Sequence, residues 1–378
     1  MVAKKSNIMP LKKEYLDTCS NVSKLSELVG LSVKGLERMF DRDCKLFCHR
    51  MELLDGRLVR CGDSYRYTIM TLLGLTKLRA ATGEDPFDID ALSSMLLEAS
   101  GTIKNAGDVG LLLWLYALAH PNKTAEVIEK FDLSGLLDRF DDGRKRKTTE
   151  LSWLLTGLSY AKLTTTAQLP FVEQLAREVY RHIKRNYGGL GIFRHEIDNS
   201  LIGKIRGRIG AFSDQVYPIY ALAVYSKAFE DDEALKIAKA SADAICKLQG
   251  ELGQWWWYYN ADSGEVAGHY PVYSVHQDGM APMALFAVQQ ITDSDYSKYI
   301  EKGLAWIYGE NELKSNMISQ EHSLIWRRIG MGKYRRIIDL LRAVLGMDPE
   351  VDKNKLYVLC HSRSYHLGWL LYSFADKI

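Results

Sequence analysis

The chain is poor in cysteine, almost without net charge, and free of long apolar runs. Six cysteines stand among 378 residues: Cys19, Cys44, Cys48 and Cys61 early, Cys246 and Cys360 later. A chain of this size, with a basic N-terminus lacking the apolar stretch of a secretory signal, is expected to keep such thiols free rather than build on disulfides. The 49 basic and 47 acidic residues leave a net charge of +2, so no bulk field draws the protein to nucleic acid or to a membrane surface. No apolar run approaches the ~20 residues of a membrane span. β-branched alternation is missing from most of the chain, which disfavours an all-β class. With 47% hydrophobic and 25% charged residues, what remains is a globular protein, expected in the cytoplasm, long enough to bury a sizeable core.

Six polar or aromatic clusters each lead into an apolar helical stretch. They are Tyr65-Arg66-Tyr67, Asp108-Val109, Glu150-Leu151, Asp214-Gln215, Gln277-Asp278 and Tyr365-His366. The stretches they open, near 65–80, 108–120, 149–162, 213–229, 277–291 and 364–376, are apolar nearly all round, as helices with neighbours on both sides must be. Between them lie charge-bearing segments at 87–100, 123–139, 168–187, 231–249, 293–308 and 333–346. Glu173, Arg177, Arg181 and Lys184 recur there at the spacing of a solvated helix face. Two concentric layers satisfy both patterns. The expectation is an all-α (α/α)6 toroid of six helical hairpins over 65–378, with 1–64 as an irregular N-terminal arm or cap. Within that arm 24–40 reads as an amphipathic helix, and Asp55-Gly56 as a hairpin turn. The Arg144-Lys145-Arg146-Lys147 run reads as a solvated turn.

Closing the ring would gather the six polar starts at one mouth, with the long loops 188–211, 250–276 and 309–334 around it. Asp214 and Asp278 open inner helices in similar frames (Asp214-Gln215-Val216-Tyr217-Pro218, Asp278-Gly279-Met280-Ala281-Pro282), and Asp108 and Glu150 stand at equivalent starts. Such a carboxylate serves equally as a helix cap or as half of the acid and base pair that cleaves a glycosidic bond. Trp255-Trp256-Trp257 cannot all face one core, so at least one ring is expected on display, to stack on a sugar with Tyr217 and Tyr273. Tyr270, Gln277, Tyr65 and Arg66 complete the expected contacts. A second chemistry is also present. His276, His366, Tyr270 and Tyr273 with Arg206, Arg208, Arg327 and Arg328 suit an anionic sugar, where Arg neutralises a uronate carboxylate and Tyr or His removes the adjacent proton.

Cys44, Cys48 and His49 have no second pair at zinc spacing. Cys360-His361 resembles a ligand pair of the lanthionine-cyclase toroids, without that family's further cysteine setting. No metal and no cofactor are therefore expected.

The hairpin array with acidic, Trp-rich helix starts resembles the six-hairpin glycosidase-like toroids, which include glycoside hydrolases, polysaccharide lyases and sugar epimerases. More narrowly, Ser64 to Thr68, Arg206 to Gly210, Asp214 to Tyr220 and Tyr270 to Leu285 are similar to a bacterial family associated with exopolysaccharide biosynthesis. The resemblance implies an enzyme acting on an oligosaccharide, polysaccharide or glycan precursor. Hydrolysis by Asp214 and Asp278 is the first expectation and a uronate lyase or epimerase the second. A non-catalytic glycan-binding or scaffold protein is the third.

Overall fold

The structure, a computed structural model, describes residues 19–103, 105–133, 147–165, 170–197, 200, 203, 206–332, 335–345, 347 and 351–378. Outside them lie residues 1–18 of the expected arm, the basic run except Lys147, and parts of the stretches read at 123–139, 168–187, 188–211 and 333–346.

Outer and inner helices alternate along the chain. The first half runs α1 (Cys19–Met39), α2 (Tyr65–Thr82), α3 (Ile89–Glu98), α4 (Ala106–Ala119), α5 (Thr124–Lys130), α6 (Thr148–Thr164) and α7 (Pro170–Asn186). It continues with α8 (Ser213–Phe229), α9 (Asp232–Lys247), α10 (Ala281–Gln289), α11 (Ser297–Ile307), α12 (Arg335–Val344) and α13 (Ser364–Phe374). A single π-turn, His276–Met280, leads into α10. The inner helices α2, α4, α6, α8, α10 and α13 touch in that order, and α13 packs back on α2, so the ring closes. The fold is an (α/α)6 toroid.

Burial explains the two layers. In α4 nearly every residue from Gly107 to Ala117 is buried, and in α8 every residue from Asp214 to Ser226, so neither has a solvent face. Outer helices such as α9 bury one stripe, including Ala234, Ile237, Ala238, Ala242 and Ile245. Helix α1, the amphipathic helix read in the expected arm, buries Leu25, Leu28, Val29 and Leu36 and lies against α13. The stretch at 333–346 carries α12. Its Leu340 and Val344 pack on Ile209, Tyr258 and Ala267 of a small sheet at the mouth.

Inner helices approach so closely that two crossings need glycine. A Cβ at Gly157 of α6 would overlap the Gly110 carbonyl of α4, and one at Gly74 of α2 the Gly368 carbonyl of α13. The axis of the ring is filled: Trp114 stacks on Trp369 with centroids 5.6 Å apart, and the Tyr160, Tyr220 and Tyr372 hydroxyls bond to one another.

Short strands decorate the mouth. β1 (Phe40–Asp41), β2 (Leu46–Leu54) and β3 (Arg57–Asp63) precede α2. β2 and β3 form the expected hairpin, with Asp55 (φ 48°) and Gly56 (φ 75°) at its turn. Later come β4 (Ile209–Ala211), β5 (Tyr258–Asn260), β6 (Glu265–Gly268), β7 (Val272–Tyr273), β8 (Ile318–Ser319), β9 (Leu324–Ile325), β10 (Arg328–Met331), β11 (Leu356–Leu359) and β12 (His361–Ser362). Their sheets run β4-β5-β6, β11-β10-β7, β8-β9 and β1-β2-β12, with β3 on β2, and all pairs are antiparallel. No helix among the described residues is long and apolar enough to cross a membrane.

Candidate active site in the mouth of the toroid

The six helix starts do share one mouth. Arg66 of α2 bonds Asp108 of α4 through Nε and Nη2, the latter at 3.0 Å, and Glu150 of α6 packs its backbone on Gly107. Thr149 donates to Asp214 of α8 at 2.8 Å, and Asp278 in the π-turn meets His366 of α13. Within this circle opens a cavity of about 220 Å³. Aromatic rings wall it: Tyr67, Trp153, Tyr217, Trp257, Tyr273 and Tyr365. Arg66, Arg327, His276, Thr149 and Ser213 supply its polar groups, and Met70 and Met280 soften the floor.

Each predicted residue has a definite place. Trp257 lines the cavity, its ring parallel to His276 within 3° at 5.9 Å. Trp255 does not; it is fully buried against Phe212. Trp256 is turned away too, edge-on to His269 at 4.3 Å. One ring of the three is therefore displayed, because strand β5 begins just after Trp257 and the run before it is irregular. Tyr217, Tyr273, Arg66, Arg327 and His276 line the cavity as expected. Tyr270 does not, since its hydroxyl donates to Glu312 at 2.7 Å inside the wall. Gln277 is buried with its amide on the Tyr273 carbonyl, and Arg208 braces the Val344 carbonyl at 2.7 Å. Tyr65 is half-buried and outside the lining.

The two aspartates expected to act as a pair are buried in the wall. Asp214 is 1% exposed and accepts three bonds, from Thr149 Oγ1, the Ala211 N–H and His195 Nδ1 (2.9 Å). Burial pushes the His195 pKa down, but the bond and the charge of Asp214 together carry it above the ordinary value. Asp278 is 0% exposed, with both oxygens within 2.9 Å of His366 Nε2; burial outweighs that histidine and raises its pKa. Both aspartates stand four residues before a proline, Pro218 and Pro282, which has no N–H to return to the aspartate carbonyl. The local helix is loosened there, and each side chain ties it to a distant segment instead.

Two partly exposed carboxylates stand beside cavity-lining residues, Asp108 on Arg66 and Glu150 next to Thr149, with side chains 17% and 28% exposed. Glu150 faces Lys147 at 3.7 Å, and both acids raise the pKa of Arg66 against the larger opposing effect of its burial. His276 is driven down to about 3, first by burial and further by the charges of Arg327 and His366, so it is a neutral ring at pH 7. Arg328 Nη1 donates to the Tyr273 hydroxyl at 2.9 Å.

The site also holds residues that sequence reasoning did not select: Met70, Thr149, Trp153, Ser213 and Met280. Helical spacing was the available signal, since Trp153 stands four residues after Thr149 and Met280 four after His276. Among the described residues, the grouping with metal-ligand proximity is Asp41, Cys44 and Asp63, away from the cavity. Cys44 is exposed, while the Cys48 thiol is buried and pushed up to about 12.

No protein-family model and no curated protein matches the chain. Solved structures do. An unsaturated glucuronyl hydrolase specific for heparin is similar over 94% of this chain and 97% of its own, at 15% identity and TM-score 0.62. An unsaturated glucuronyl hydrolase from Bacillus sp. GL1, responsible for the degradation of glycosaminoglycan, matches 94% of this chain and 96% of its own, at 16% identity and TM-score 0.60. An alpha-1,6-mannanase from Salegentibacter sp. matches 93% of this chain and 98% of its own, at 12% identity and TM-score 0.59. These likenesses establish the toroid. At such identities they leave the chemistry to be argued from the residues.

Proposed function

We propose that the protein is a carbohydrate-active enzyme that hydrolyses a glycosidic bond in a glycan or glycan precursor, with Glu150 and Asp108 as its carboxylates. The observation that carries this reading is the cavity: six aromatic rings at the shared mouth, flanked by two partly exposed acids on adjacent inner helices. Flat rings suit the apolar faces of sugars, and two carboxyl groups are the minimal apparatus for the cleavage. Glu150 protonates the leaving oxygen; Asp108, held in orientation by Arg66, takes a proton from the attacking water. Asp214 and Asp278 act through others, as ties that position the helix starts. The similarity of the fold to two glucuronyl hydrolases and a mannanase supports the class of reaction. The association of the resembled family with exopolysaccharide supports the class of substrate.

Glu150→Gln and Asp108→Asn, assayed on a panel of oligosaccharides by reducing-end release, should each lose roughly 10²-fold or more in kcat with the fold intact. Asp278→Asn should instead lower the melting temperature. Full activity in both acid variants would remove this assignment.

A second reading rests on Tyr273. Its hydroxyl accepts from Arg328, and the Arg327 guanidinium lies 5.0 Å from its ring, so a phenol and two guanidiniums stand together where an anionic sugar would meet them. Tyr273 would then take the proton next to a uronate carboxylate, and an unsaturated product absorbing in the ultraviolet would identify elimination.

A further inference from the structure

One side of the mouth carries positive charge that no ion pair among the described residues balances. Arg327 lines the cavity just before β10, and its Nη1 is buried without a hydrogen-bond partner. Arg363 stands just before α13. Its Nη1 donates to the His49 carbonyl at 2.9 Å and lies against the His49 ring, while its Nε is buried without a partner. Among the described residues neither guanidinium has a carboxylate within ion-pair distance. Arg66 has Asp108, and Arg50 has Glu52, which also faces His361 at 3.3 Å.

Arg363 reaches the cavity wall through His49, whose ring stacks on the cavity-lining Tyr67, while Arg327 lines the cavity itself. Burial first, then the charge of Arg327, pulls Arg363 below its ordinary pKa. His49 is lowered by burial, then by Arg363, Arg327 and Arg50 in turn. The rings of Tyr67 and Tyr365, 4.6 Å apart, line the cavity between these groups, and Tyr67 stacks on His49. Holding like charges together away from water is costly unless something pairs with them. A fold that gathers two guanidiniums with spare N–H groups at one wall has the chemistry of an oxyanion receptor.

We propose that Arg327 and Arg363 form an oxyanion subsite in the cavity wall, which selects saccharides bearing a carboxylate or an ester sulfate or phosphate. The inference rests on the reading of the cavity as a saccharide site and specifies which saccharides it admits. Arg327 makes the contact from the cavity side and Arg363 from the β2–β12 side. Tyr67 and Tyr365 contribute hydroxyls and apolar walls.

The test is thermal denaturation of the full chain, titrated with sodium glucuronate, acetate, sulfate or phosphate, with glucose and sodium chloride at matched ionic strength as references. A saturable rise in Tm with at least one of the four anions, absent with glucose and chloride, is expected. Response to glucuronate and acetate identifies a carboxylate site, and response to sulfate and phosphate a tetrahedral one. Arg327→Gln and Arg363→Gln should weaken that response about tenfold or more, the scale of one lost charge-assisted hydrogen bond. Both variants also control for the general stabilisation that sulfate gives any protein. Should either fail to fold, Arg327→Lys and Arg363→Lys retain the charge but lose the fork, and a weakened response in them serves the same purpose. An unsaturable response to all four anions, or equal responses in wild type and variants, overturns the proposal. Cleavage of neutral glycans by a protein without an anion response would sink this inference alone. An anion response in a protein that cleaves no saccharide would sink only the hydrolytic reading.

Discussion

Asp214 and Asp278 share one residue type, one sequence frame and one setting, each buried in the wall of the mouth. Each carries a histidine partner from far along the chain, His195 and His366, and each lies at a point where a downstream proline leaves the helix short of a bond. The carboxylate replaces the missing local restraint with a long-range one. For His195 this has a pH signature. Its folded pKa is raised by Asp214 above the unfolded value of about 6.5, so protonation favours the folded state. The stability so gained is fully present below the unfolded pKa and is lost as pH rises through the higher folded value. Melting temperatures followed from pH 5 to 9 should therefore fall with pH more steeply for the wild type than for His195→Gln. Parallel curves would show that the pair contributes nothing through its charge.

At the scale of helices, the crossing of α4 and α6 sets a tight requirement. Gly110 and Gly157 face each other so closely that backbone meets backbone, and Gly157→Ala would push its methyl into the Gly110 carbonyl. Overpacking of this kind costs about 1–3 kcal/mol, seen as a lower Tm with the secondary structure retained. An unchanged Tm would mean that the helices can separate without loss. The inner helices were legible in the sequence because residues such as Leu111 to Ala117 leave no polar side for water to meet. In the stretch 333–346, amphipathic spacing shows that a helix has a buried face but not what lies beneath it. The β4-β5-β6 sheet that α12 covers is built of strands of three or four residues, too short for any period to show. The site was legible in part for the same reason. Trp257, Tyr217, Tyr273 and Arg327 lie where polar starts and aromatic loops converge. The burial of Asp214 and Asp278 depends on histidines 19 and 88 residues away, and no local pattern announces such pairs.

In the whole molecule, the cavity exists only because the last inner helix returns to the first. Helix α13 packs on α2 and on α1, supplies Tyr365 to the cavity, and carries His366 to Asp278. It also buries Leu367, Trp369, Leu370, Leu371 and Phe374 completely. At roughly 1.5–3 kcal/mol for each large apolar side chain, these five alone rival the ~5–15 kcal/mol by which a native protein is stable. A chain ending at Arg363 should therefore not fold as a toroid with one gap. It should lose the cooperative melt and become open to protease throughout, including at α6 and α8, whose Tyr160 and Tyr220 hydroxyls bond Tyr372 of α13 at the axis of the ring. Circular dichroism melts and limited proteolysis of that truncated chain decide the matter. A protected fragment spanning α4 to α9 would show that the hairpins fold locally, and that closure shapes the mouth without holding the molecule together.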